Sequence, residues 1–170
     1  MMNEKVKQLL MEQIVKEFYS AYLYLDMSNY YYDHNLDGFG NWFKVQAQEE
    51  RDHALLFMQY LLNNNVSVKL GAIAAPDKAY NNFREPLTAA LEHEQYVTAS
   101  INTIYEAAYE VRDFRTMQFL DWFIKEQGEE EQNANDLIGH YDLFGSDAKG
   151  LYMYDAELAQ RVYTAPSLVL

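Results

Sequence analysis

Residues 49–53, Glu-Glu-Arg-Asp-His, and residues 126–130, Glu-Gln-Gly-Glu-Glu, decide the reading of this chain, because the second acidic stretch repeats the first at an offset of 77 positions. Glu17 and Glu94 stand at the same offset. One polar constellation is therefore present twice, as Glu17, Glu50 and His53 and again as Glu94, Gln127 and Glu130, with Glu49 answered by Glu126 and Asp52 by Glu129. Two helical hairpins with matched acidic clusters are a pattern by which a four-helix bundle holds two metal ions.

Working outward, Leu10, Ile14, Glu17, Ala21, Tyr24, Ser28 and Tyr31 recur at helical spacing with no Gly or Pro between them, which predicts a helix from about Asn3 to Asp33. A turn signal at His34–Gly38 precedes a second helix, about Phe39 to Asn64, whose inward stripe is Phe43, Ala47, Glu50, His53, Ala54, Phe57 and Leu61. A third helix is predicted over about Phe83 to Val111, with Pro86 in its first turn, and a fourth over about Arg115 to Leu143. In each the acidic residues interrupt an otherwise apolar face.

The links set the topology. The first and third are short, as antiparallel neighbours require. The second, about Asn65 to Asn82, spans roughly 60 Å when extended, whereas a helix of that bundle is only about 40 Å long. It can therefore run the length of the bundle and lay the third helix parallel to the second, so that two hairpins are related by a pseudo-twofold axis. Counted from the turns near Leu36 and Asp113, all six residues of the constellation fall at matching depths, in one layer.

The expected architecture is all-α, a single domain over residues 1–170 with the bundle at about 3–143 and a short C-terminal amphipathic helix at about 147–162. That last segment, with Leu151, Tyr152, Tyr154, Leu158 and Val162, is too short to be a fifth bundle member and is expected to bury its apolar face against the bundle end or another subunit. Trp122 and most of the 15 tyrosines read as packing or interface residues, and His34, His93 and His140 as surface or capping residues.

Composition narrows the function classes. With 26 acidic and 13 basic residues the net charge is -13, which disfavours nucleic acid and anionic membranes and favours cations. The absence of cysteine removes disulfides and thiolate metal sites. No signal peptide or spanning segment is read at the N-terminus, so a cytoplasmic location is expected.

Carboxylates gathered at one level of a bundle core repel one another, and each buried uncompensated charge costs several kcal/mol. Two divalent cations neutralise Glu17, Glu50, Glu94 and Glu130, with His53 as a nitrogen donor. Such a set suits iron or manganese and also admits zinc. The three-residue spacing of Glu50 and His53 lets both reach one ion, and Glu50 stands where it can bridge two.

On Glu17, Tyr24, Glu49, Glu50-x-x-His53, Glu94, Glu126, Gln127, Glu129 and Glu130 the chain resembles the non-haem bacterial ferritins over nearly its whole length. The resemblance implies a first metal site at Glu17, Glu50 and His53 and a second at Glu50, Glu94 and Glu130. It also implies a third at Glu49, Glu126, Glu129 and Glu130 on the cavity side, and places the short C-terminal helix at a four-fold axis. It further implies a shell of twenty-four identical subunits that oxidises Fe(II) with dioxygen or hydrogen peroxide and stores the Fe(III) mineral inside. Haem is not expected, because Asp52 and Glu130 stand where bacterioferritins carry methionine and histidine. Tyr24 is expected beside the metals as an electron donor or a hydrogen-bonding group, and Gln127 as a partner for a bound oxygen species. Met117 and Leu120 give the start of the fourth helix an apolar lining, so the route by which iron enters is left unassigned.

The residues leave two rival functions open. The same ligands would serve a di-iron enzyme that consumes peroxide or oxygen without storing iron, or a redox-silent bundle holding zinc. Glu126, Glu129 and Glu131 also read as a solvated acidic face.

Overall fold

The chain begins its first helix where Asn3 offers a side-chain oxygen to the backbone N–H groups of Lys5 (2.9 Å) and Val6 (3.4 Å), satisfying donors that the first turn leaves open. The structure, a computed structural model, describes residues 2–170. It consists of α1 (Glu4–Asp33), α2 (Asp37–Asn63), α3 (Glu85–Glu110), α4 (Phe114–Phe144) and α5 (Ala148–Leu158), with no strand among the described residues. The expected helices are present with ends shifted by a residue or two. The exception is α5, which stops at Leu158 rather than continuing to Val162, so that residues 159–170 form an irregular tail.

Three helix ends close through a left-handed residue, Asn35 (φ 60°), Asn65 (φ 57°) and Arg112 (φ 57°). In each, the next N–H returns to a carbonyl five residues back: Leu36 to Tyr31 (3.0 Å), Val66 to Leu61 (3.0 Å) and Asp113 to Ala108 (2.8 Å). Asn35 and Arg112 are themselves 77 positions apart, so the sequence repeat extends to the backbone of the two hairpin turns.

Topology follows from which ends share a core. One apolar cluster joins the start of α1 (Val6, Leu10, Ile14), the end of α2 (Phe57, Leu61), the end of α3 (Ile101, Ile104) and the start of α4 (Phe119, Phe123). The other joins the end of α1 (Leu23, Met27, Tyr31), the start of α2 (Phe39, Phe43), the start of α3 (Leu87, Ala90) and Leu137 of α4. Hence α1 and α2 are antiparallel, α3 runs parallel to α2, and α3 and α4 are antiparallel. The long link crosses the bundle over α1, where Gly71 lies against Val15.

Between the two clusters each of α1–α4 contributes polar residues to one layer: Glu17 and Ser20 from α1, Glu50 and His53 from α2, Glu94 from α3, and Gln127 and Glu130 from α4, all buried. Below this layer aromatic rings set the separation of α2 and α4, with Tyr60 stacked on Phe119 at 4.0 Å and Phe57 against Phe123 at 4.3 Å.

Helix α5 docks on the start of α2. Tyr154 and Leu158 are buried in the second cluster, Asp155 accepts from the Phe39 N–H at 3.0 Å, and any side chain at Gly38 would collide with the Asp155 carbonyl. Its other face, with Tyr152 and Met153, is exposed. Of the two expected alternatives, the bundle end is thus one surface that α5 covers.

Candidate metal centre

The layer resolves into two triads. One ligand atom from each of Glu17, Glu50 and His53 lies within 4.8 Å of the others, and the same holds for Glu50, Glu94 and Glu130. Glu50 belongs to both, the position of a bridge. In the first triad two buried atoms, Glu17 Oε2 and His53 Nδ1, have no hydrogen-bond partner among the described residues. His53 Nδ1 stands 3.4 Å from Glu50 Oε2, beyond ordinary N–H···O reach. Buried polar atoms are normally paired, and two unpaired ones within a single carboxylate–imidazole triad mark a place that a cation would fill.

Without a cation the cluster must hold protons. Burial pushes the Glu17 carboxyl up to about 8, and the Glu50 charge adds to the rise. Glu94 is pushed to about 8 for the same two reasons, and burial raises Glu130 well above the carboxylate range. Burial opposes a charge on His53 too, but the carboxylates of Glu50, then Glu17 and Glu130, outweigh it and lift the imidazole to about 10. Glu50 alone is held below its ordinary value: burial disfavours its charge, but His53 and the Gln46 amide overcome that cost.

Neutral side chains orient the carboxylates. Gln13, one turn before Glu17, donates to Glu17 Oε1 (2.8 Å) and accepts from Ser100 (2.7 Å). Gln46, one turn before Glu50, donates to both Glu50 Oε1 (3.0 Å) and Glu130 Oε2 (2.8 Å). Gln127 donates to Glu94 Oε2 at 3.0 Å, and the buried Tyr24 hydroxyl donates to Glu94 Oε1. Sequence reasoning singles out Tyr24 and Gln127 but passes over Gln13 and Gln46, although their spacing of four from Glu17 and Glu50 is the signal that would find them.

His93 is a correction. Expected at the surface, it is half-buried on the inner side of α3, with Nε2 2.7 Å from Ser20 Oγ and its ring edge-on to Tyr24 at 5.8 Å. Burial lowers its pKa, so it packs as a neutral ring beside the layer. His34 and His140 are exposed, and Trp122 packs edge-on to His53 at 5.6 Å.

The outer acidic residues are arranged differently from the six. Glu126 comes within reach of His53 and Glu130, in a group whose ligand atoms lie within 4.8 Å of one another. Glu49 is instead paired with Arg161 of the C-terminal tail at 2.6 Å, and Glu129 is exposed beside Lys125 at 3.5 Å. The structure therefore does not bring Glu49, Glu126, Glu129 and Glu130 together as one cluster.

Comparison with known proteins places this geometry. Residues 7–144 match the family described as "Ferritin-like domain". The bacterial non-heme ferritin of Campylobacter jejuni is 37% identical over 155 residues, covering 91% of this chain and 93% of that protein. The Staphylococcus saprophyticus protein of the same description is 33% identical over 163 residues, 96% of this chain and 98% of that one. Among solved structures, an engineered closed form of Archaeoglobus fulgidus ferritin aligns with a TM-score of 0.94 at 38% identity, covering 96% of this chain and 100% of that chain. The open-pore ferritin of the same archaeon aligns at 0.92 and 38% identity over 95% and 98%. With a family match over most of its length and curated relatives above 30% identity, this chain belongs to the ferritin family, among the non-haem bacterial ferritins.

Proposed function

We propose that the protein is an iron-storing ferroxidase. Two Fe(II) ions bind per subunit as substrate, one at Glu17, Glu50 and His53 and the other at Glu50, Glu94 and Glu130. Each gives up one electron to dioxygen or hydrogen peroxide, and the Fe(III) passes to a mineral inside a shell of twenty-four subunits. The observation that carries the reading is the pair of orphaned buried atoms, Glu17 Oε2 and His53 Nδ1, in a triad that shares Glu50 with a second triad.

The protein's own chemistry is to exchange protons for cations. As a cation arrives, Glu17, Glu94 and Glu130 release the protons that burial and mutual repulsion otherwise force on them, and His53 releases the one that the neighbouring carboxylates attract. Four carboxylates then face two divalent ions, and the higher charge of the oxidised pair is favoured in the same field. Gln13 and Gln46 each hold one oxygen of Glu17, Glu50 and Glu130 and leave the other for metal, whereas Tyr24 and Gln127 hold both oxygens of Glu94, whose remaining lone pairs face the ion. The second triad has no imidazole, so its ion is held by oxygen donors alone and is the more readily released of the two. Glu126, close to His53 and Glu130, offers a further carboxylate to an ion leaving the layer.

Aerobic addition of increasing Fe(II) to metal-free protein, followed by size separation and iron assay, tests the reading. Soluble iron that co-elutes with a very large particle, far beyond the few ions a subunit can ligate, is expected. A plateau of two or three ions per subunit would instead identify a di-iron oxidase without storage. Absence of oxygen or peroxide consumption would identify a redox-silent metal bundle.

A further inference from the structure

The tail that follows α5 returns along the α2–α4 face and is held there by side chains. Asn41 Nδ2 donates to the Arg161 carbonyl at 3.0 Å, Tyr163 donates to Asp52, and Trp122 Nε1 donates to Ser167 Oγ at 2.9 Å. Within this tail Arg161 is aimed inward. Its guanidinium lies over the Trp42 ring at 4.1 Å and donates to the Trp42 carbonyl (3.2 Å), to Glu49 Oε2 (2.6 Å) and to Gln46 Oε1 (2.8 Å).

The contact with Gln46 has consequences for the metal layer. A primary amide can present either its oxygen or its nitrogen to a neighbour, and nothing intrinsic to Gln46 chooses. A guanidinium only donates, so the Gln46 oxygen must face Arg161. The Gln46 nitrogen must then face Glu50 and Glu130, the two carboxylates it holds at 3.0 and 2.8 Å. Turned over, the amide would set its oxygen against the ionised Glu50 and, once metal has displaced its proton, against Glu130, and repel them. Arg161 also supplies the positive charge that Glu49 would otherwise take from a cation.

We propose that Arg161 is a positioning residue for the second metal site, acting through Gln46, and the resident cation of Glu49 that any third metal ion must displace. The C-terminal tail is by this route part of the metal-binding apparatus. The inference rests on the reading of Glu50, Glu94 and Glu130 as metal ligands, and its test separates the two.

The probe is Co(II), which has a visible spectrum and is not consumed under anaerobic conditions. It is titrated by calorimetry and absorbance into the metal-free assembled protein as wild type, Arg161→Gln, Arg161→Lys and Arg161→Gln/Glu49→Gln. Wild type is expected to bind two ions per subunit. Arg161→Gln is expected to weaken the second ion, two of whose carboxylates Gln46 holds, by about ten-fold, the worth of one hydrogen bond to a charged group, and the first ion, which shares only Glu50, by less than about three-fold. It should also add a third, weaker ion that is lost again when Glu49→Gln is combined with it. Arg161→Lys, which keeps a donor-only cation, should restore the second ion to within about three-fold of wild type. Unchanged affinities and stoichiometry in Arg161→Gln would overturn the inference. So would an equal loss at both sites, accompanied by a lower melting temperature and not relieved in Arg161→Lys, since that marks a purely structural role. If wild type itself fails to take up two ions, the assignment of the layer as a metal site falls, and the role of Arg161 with it.

Discussion

The Tyr24 hydroxyl on α1 donates to Glu94 Oε1 on α3, tying the first hairpin to the second at the level of the buried polar layer. Burial holds the phenol protonated, so it is a fixed donor rather than a titrating group. Gln127 occupies the other oxygen of Glu94, and the carboxylate is thereby fixed from both sides. Tyr24→Phe removes one of those restraints without changing the packing volume. The expected result is a 10- to 100-fold weaker second ion, corresponding to about 1.5–3 kcal/mol for a hydrogen bond to a charged group, with the first ion unaffected. Calorimetric titration with Zn(II) under identical buffer conditions measures both.

Glu17 and His53 predict opposite effects on the metal-free protein. A buried carboxyl that must stay protonated gains nothing from its acidity, so Glu17→Gln should leave the apo-protein at least as stable while removing the first ion. His53→Ala should instead destabilise it by about 3–5 kcal/mol, because the ionised Glu50 then loses its paired positive charge within the buried layer. Thermal melts of the two metal-free variants, with metal stoichiometry measured in parallel, distinguish them. A large loss of stability in Glu17→Gln would contradict the balance of charges described here.

The protonation pattern fixes the sign of the pH dependence. Glu17 and Glu94 rise from an ordinary value of 4.5 to about 8 in the folded chain, so between these pH values the native state binds more protons than the unfolded state. Stability contributed by these groups is full below about 4.5 and falls as pH rises toward 8. His53, raised from 6.5 to about 10, adds loss of the same sign at higher pH. The metal-free protein should therefore melt at a lower temperature at pH 8 than at pH 6. Saturating Zn(II) should remove most of that difference, and binding at pH 7 should release protons detectable in a weakly buffered solution. A melting temperature that rises from pH 6 to pH 8 would show that the carboxyls are not protonated in the folded state.

Gly38 permits the seating of α5. Because a Cβ there would collide with the Asp155 backbone, which cannot rotate aside, Gly38→Ala should push α5 off the start of α2 at a cost of about 1–3 kcal/mol. Faster amide exchange across residues 148–158, together with a reduced yield of the large assembled particle, is the expected outcome.

Much of this is legible in the sequence because it is periodic. Apolar spacing marks four helices, and the 77-residue offset brings Glu17, Glu50, His53, Glu94, Gln127 and Glu130 to one depth before any coordinate is known. Gln13 and Gln46 obey the same helical spacing but are neutral, and a neutral amide carries no compositional mark of burial. Arg161 lies 112 positions from Glu49 in a segment with no regular period, so no spacing rule connects them. His93 sits next to Glu94 on α3 yet is turned toward Ser20, a contact between helices from different hairpins that a single helical wheel does not show. Periodicity reveals what each helix presents, whereas the partners reached across the bundle depend on its assembly.

The polar layer divides the interior into two apolar blocks, and each block takes residues from all four long helices. Neither hairpin can leave without tearing both blocks. The layer lies near the middle of helices that run 26 to 31 residues, several turns from any end where a helix frays. The residues that most oppose folding are thus buried where spontaneous opening is rarest. An ion bound in this layer would therefore enter and leave by rotation of individual side chains, on the timescale of rotamer exchange, with the backbone cage remaining closed around it.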